Sequence, residues 1–285
     1  MKDDARSISR LVSVPVLTFM LICSFAYFAR GELRGVSAQN TSPSGPFGFL
    51  INTQASFPAN DRGLMILGVM NFDGAGNVTG PYTAHISASA SKAVGTVVGT
   101  FTGTYTGKPD GTGSTTVALD VGLSFTFATV ITDGGQSLQL VATGCGGCNF
   151  GGDGASGVAR SGQTGSLKGA YGFRLNNSPF PGGAIGVMNF DGAGSVSASI
   201  ATVGIPEDNG QPPVASGTLT GTYSINPDGS GAVDLAAASG QTVNSSFAMV
   251  ITDGGSGILL LQTNGNPTAN GTPEDNASFG TAHVQ

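Results

Sequence analysis

The chain has 285 residues, enough for two ordinary domains, and a net charge of −6. Glycine fills 47 positions and only 10% of side chains are charged, against about a quarter in an average globular chain. Little charge beside 39% hydrophobic residues excludes a disordered polymer, and the scattering of the few Lys and Arg excludes a nucleic-acid-binding protein, because a phosphate backbone demands clustered cations.

The N-terminus reads as an export segment. Lys2, Arg6 and Arg10 precede an uncharged stretch from Leu11 to Ala29, and Val36-Ser37-Ala38 sets small residues before a cleavage point at Gln39. The same apolar run is long enough to cross a bilayer. Two readings therefore stand: a signal peptide over residues 1–38, or an uncleaved hydrophobic helix that attaches the chain to a membrane through residues 11–29. Either one exports the protein to the periplasm, the cell surface or the medium. Met20-Leu21-Ile22-Cys23 is a poor lipoprotein box, since Ile22 stands where a small residue is needed. Removing residues 1–38 takes five of 11 cations and three of 17 acids, which leaves six against 14 and a balance of −8.

After a linker at 39–45 the sequence repeats itself. Gly68-Val-Met-Asn-Phe-Asp-Gly-Ala-Gly76 returns unchanged as Gly186 to Gly194. Thr102-Gly-Thr-Tyr105 returns as Thr220 to Tyr223, Pro109-Asp-Gly-x-Gly113 as Pro227 to Gly231, and Val130-Ile-Thr-Asp-Gly-Gly135 as Val250 to Gly255. Gly48-Phe49 pairs with Gly172-Phe173, and Ala155-Ser156 with Ala277-Ser278. Order and spacing are kept, so residues 46–163 and 164–285 are two copies of one unit. The connection Thr53–Leu67 is six residues longer than its counterpart Asn177–Ile185.

Each unit reads as short strands divided by turn residues. In the second copy they fall near Gly169–Asn176, Ala184–Phe190, Gly194–Val203, Gly217–Asn226, Gly231–Ala237, Val243–Thr252, Ile258–Thr263 and Ala277–Val284. Leu219, Gly221, Tyr223 and Ile225 alternate with Thr218, Thr220, Thr222 and Ser224, the period of a half-buried strand. Asp-Gly pairs between consecutive strands supply hairpin turns. The fold class is all-β: two tandem antiparallel meanders of eight strands. Closure into barrels hides every strand edge; two-sheet sandwiches are the alternative.

Taken together, Gly-x-Met-Asn-Phe-Asp-Gly-x-Gly, Gly-Thr-Tyr, Pro-Asp-Gly-x-Gly and Val-Ile-Thr-Asp-Gly-Gly resemble the repeats of uncharacterised exported β-proteins of the acidobacterial type. The resemblance covers nearly the whole chain after the export segment and implies no particular activity. In topology each unit is also similar to calycin barrels of the lipocalin and avidin kind, without their ligand motifs.

Repetition also weighs the chemistry. Eight carboxylates form matched pairs, Asp73/Asp191, Asp110/Asp228, Asp133/Asp253 and Asp153/Asp275, all in predicted turns where Asp bonds its own backbone. The remaining acids do not correspond between copies and form no glycosidase pair. His85 and His283 have no partner in the other copy and are expected at exposed or edge positions rather than in a catalytic triad. Catalytic, cofactor and metal residues are therefore all expected to be none. Cys145-Gly-Gly-Cys148, in the loop before the last strand of the first copy, suits a local disulfide, with a redox pair, half a zinc site or free thiols as alternatives. Asn71, Tyr105, Asn189 and Tyr223 are repeated polar-capable strand residues, either rim ligands or structural anchors. The expected function is a non-catalytic structural or adhesive module contacting a surface polymer; the alternative is a small-ligand binder using the interior or mouth of the barrels.

Overall fold

Strands whose side chains alternate between apolar and hydroxyl-bearing need a single apolar interior, and in a computed structural model of the protein the chain provides two. The structure describes residues 42–53, 64–86, 95–147, 155–162, 166–178, 182–203, 214–237, 244–264 and 277–285. The N-terminal segment read above as an export signal or membrane anchor, and Asp153, Asp275 and Cys148, lie outside them.

The first barrel is built from β1 (Ser44–Thr53), β2 (Leu64–Asp73), β3 (Asn77–Ile86), β4 (Gly95–Gly107), β5 (Thr112–Leu119), β6 (Ser124–Thr132), β7 (Ser137–Gly146) and β8 (Ala155–Ser161). The second follows as β9 (Lys168–Ser178), β10 (Gly183–Asp191), β11 (Ser195–Val203), β12 (Val214–Ile225), β13 (Ser230–Ala237), β14 (Asn244–Thr252), β15 (Gly257–Gln262) and β16 (Ala277–Val284). Within each barrel every strand pairs antiparallel with the next in sequence, and β8 closes on β1 as β16 closes on β9. Both units are thus closed eight-stranded barrels, not sandwiches. The strands of the second copy fall where the sequence placed them, within three residues at each end.

The alternation sorts side chains as expected. On β4, Phe101 and Tyr105 are buried while Thr100, Thr102, Thr104 and Thr106 are exposed. Three edge-to-face rings repeat at one end of each interior. Phe47, Phe72 and Tyr105 meet at centroid distances of 5.4 and 5.0 Å, and Tyr171, Phe190 and Tyr223 at the same two distances. Glycine is needed where strands crowd: a Cβ on Gly80 or Gly221 would overlap a carbonyl of the neighbouring strand.

Two boundaries differ from the sequence reading. β2 begins at Leu64, so residues 64–67 of the expected long connection belong to a strand, and the six extra residues fall in 54–63, outside the described residues. β7 runs four residues further than β15, which puts Cys145 inside a strand opposite Phe125 rather than in a loop.

A third apolar cluster lies between the barrels. Leu50, Met65, Leu67 and Val69 on the outside of β1 and β2 pack against Val250, Leu259 and Leu261 on the outside of β14 and β15. Gly48 permits the close approach, since a Cβ there would sit 2.5 Å from Val250 Cγ1. The Thr96 hydroxyl donates to the Thr263 carbonyl at 2.5 Å, and Arg160 pairs with Asp253 at 3.4 Å.

Candidate functional site

The interiors are filled by side chains. In the second barrel Leu219, Phe247 and Ile251 are buried in one cluster with Tyr223 packed against it. In the first, the void among Phe49, Met70, Phe101 and Phe127 measures about 10 Å³, no more than a single water needs. The alternating threonines of β4 and β12 point to solvent, not inward, whereas Thr115 and Thr129 are buried.

The repeated candidates then fall into plain roles. The Tyr105 hydroxyl donates to the Pro43 carbonyl at 3.0 Å, and Tyr223 donates to the Leu167 carbonyl at 2.9 Å. Each tyrosine thus anchors the segment leading into its own barrel. Tyr223 also borders a shallow groove of about 460 Å³ with Ser166, Asn226 and Pro227. Asn71 and Asn189 are exposed on the outer face one residue before the buried Phe72 and Phe190.

Asp73 and Asp191 accept backbone N–H bonds from residues two and four positions on, at 2.7 and 2.9 Å in both copies. These bonds hold both carboxyls below their ordinary range; at Asp73 the Asn77 side chain contributes most, at Asp191 the Ala193 amide. Asp110 is lowered first by the Thr112 hydroxyl and then by the Thr112 amide, and Asp228 accepts the same two bonds from Ser230. These are turn acids. Asp133 and Asp253 differ from expectation: they adopt φ of 52° and 53° at the start of a 3-10 turn. There the backbone carbonyl, not the carboxylate, accepts the turn's hydrogen bond, from Gln136 and Ser256. The Asp253 carboxylate is left to face Arg160 across the seam.

His85 is not an edge residue. It is 1% exposed, with Nδ1 3.5 Å from the Thr96 hydroxyl and Nε2 without a hydrogen-bond partner, and burial pushes its pKa down. His283 is exposed as expected, but it has a counterpart after all. It pairs with Gly172 as Arg160 pairs with Gly48, so the two residues occupy equivalent places.

The sequence reading passed over Asp120. Its carboxylate accepts from the Tyr82 hydroxyl at 2.8 Å and from the Thr100 amide at 2.8 Å. The Thr100 amide is the largest cause of its lowered pKa, while desolvation, helped by Asp120, raises Tyr82 to about 12. Ile200 stands where Tyr82 does, so this tie belongs to the first copy. Only the long chain distance between 82 and 120 hid it.

Cys145 is disulfide-bonded on the exposed end of β7. Among the described residues no three His, Cys, Asp or Glu side chains gather to hold a metal, and no helix is long and apolar enough to cross a membrane. The larger concavities lie outside the barrels: about 650 Å³ on the β9–β10 face, and about 540 Å³ where Leu67 and Val98 face Pro227 and Val250. No protein-family model matches the sequence, and no curated protein matches it significantly.

Proposed function

We propose that this is an exported, non-catalytic protein that serves as a structural or adhesive module at the cell surface or beyond it. The observation that carries the reading is the packed interior of both barrels, which leaves the outer surface as the working part. That surface is built from Thr, Ser and Gly, an array of hydroxyl and backbone groups suited to a hydrated polymer rather than to an apolar small molecule. Among the described residues Asp73, Asp110, Asp191 and Asp228 spend their carboxylates on turn bonds, which argues against acid–base work by these four. A small-ligand reading is supported only by the groove beside Tyr223 at the barrel mouth.

Native mass spectrometry of protein recovered from the envelope and medium of producing cells tests this reading. The expected result is a chain in those fractions, either starting at Gln39 or intact and membrane-bound, and carrying no small molecule. A cytosolic chain holding one stoichiometric ligand would overturn it.

A further inference from the structure

The two barrels meet through different faces of the same repeat. The first offers the outside of β1 and β2, and the second offers the outside of β14 and β15. Each repeat owns both faces, so the seam leaves one of each unused: β9 and β10 on the second barrel, β6 and β7 on the first. The strand registers fix the equivalences. Arg174, Ile185 and Val187 stand where Leu50, Leu67 and Val69 stand, and Val130, Gln139 and Val141 stand where Val250, Leu259 and Leu261 stand.

The unused faces remain apolar at their centres. Six large hydrophobic side chains are exposed among the described residues, and three of them lie here: Ile185 at 62%, Val130 at 44% and Val141 at 54%. The β9–β10 face is hollowed into the groove of about 650 Å³, with Gly172 repeating the glycine that lets the barrels close in at Gly48. Charge is complementary as well. Where the seam has Arg160 against Asp253, the free faces have Arg174 on one, beside His283 in the place of Arg160, and Asp133 on the other.

We propose that a second copy of this chain docks on these faces, the β9–β10 face of one molecule on the β6–β7 face of the next. The contact repeats the internal seam between molecules and is head-to-tail, so it builds a closed ring or an open filament rather than a two-fold dimer. It is weaker than the seam it copies, because Arg174, Gln139 and Val141 replace three leucines. The exposed Gln285 side chain, which lies 3.0 Å from the place of a Cβ on Gly172, must also turn aside. As a role, self-assembly rests on the structural-module reading; sedimentation tests the contact and cell fractionation tests the location, so the two can fail separately.

The test is sedimentation velocity on the protein purified from producing cells, from micromolar to near-millimolar concentration. Wild type is expected to sediment faster as concentration rises, passing beyond a dimer. Ile185→Asp and Val130→Asp should each weaken association by roughly tenfold or more, since each sets an unpaired carboxylate in the contact. Both sites are exposed in the single molecule, so the melting temperature of each variant should match wild type. Mixing the two variants should restore association only as far as a one-to-one dimer, because one keeps the first face and the other keeps the second. A wild type that stays monomeric throughout overturns the proposal. So does either variant that self-associates as strongly as wild type, or a mixture that associates no better than each variant alone.

Discussion

Strands β2 and β10 hold the same place in their barrels and share Gly-Val-Met-Asn-Phe-Asp, yet their surroundings differ. The first seven residues of β2 are all buried, whereas β10 is exposed at Ile185 and only part-buried around it. Strands β15 and β7 differ in the same way: all six residues of β15 are buried, while β7 exposes Gln139 and Val141. A barrel strand with one wet face alternates, and a continuous apolar run means that something covers the outside too. In this chain each barrel covers the other, and the copies diverge where they touch.

The sharpest way to break that comparison is to place one charge at each of two equivalent positions. Leu67→Asp buries a carboxylate in the seam and should cost roughly 3–5 kcal/mol of unfolding free energy in urea, while Ile185→Asp should change it by less than about 0.5. Equal losses would mean that the seam does not distinguish the barrels. A smaller effect should be shared by both copies. Tyr105→Phe and Tyr223→Phe each remove one hydroxyl bond to a lead-in carbonyl, and each should lower stability by about 1 kcal/mol. An effect in only one copy would show that the tie is not part of the repeat.

Two titrations sharpen the difference between the copies. Tyr82 should form phenolate only near pH 12, and ultraviolet titration of Tyr82→Phe should lack that late transition. His85 should give the smallest effect. Burial depresses its pKa, so below the unfolded value of about 6.5 the unfolded chain binds more protons than the folded one. Its contribution is complete above that pH and shrinks as pH falls through it. His85→Val, which installs the residue found at the equivalent Val203, should flatten the slope of urea midpoints between about pH 6.5 and 5. An unchanged slope would assign the dependence to other groups.

Most of the fold was legible because the repeat turned single residues into pairs. Asp73 with Asp191 and Tyr105 with Tyr223 marked turns and anchors that one copy alone would have left ambiguous. What escaped was whatever depends on the outside of a closed barrel. Periodicity says which residues share a face, not whether another surface covers it. His85 points outward from β3 and is buried nonetheless, and Arg160 and His283 became counterparts only through strand register. The seam did leave a trace, since Leu-Met-Ile-Leu at the head of β2 and Ile-Leu-Leu-Leu in β15 break the alternation that their counterparts keep. The Cys145 strand left none, because an added four residues can lengthen a strand or a loop with equal ease.

The division into one covered and one open face is tested most directly by thiol labelling at equivalent positions. Leu67→Cys and Ile185→Cys, followed by site-resolved mass spectrometry in dilute solution, should differ widely in rate. Residue 185 should react as a free surface thiol, and residue 67 only as fast as the barrels part or unfold. Equal rates at the two positions would contradict a seam between the barrels.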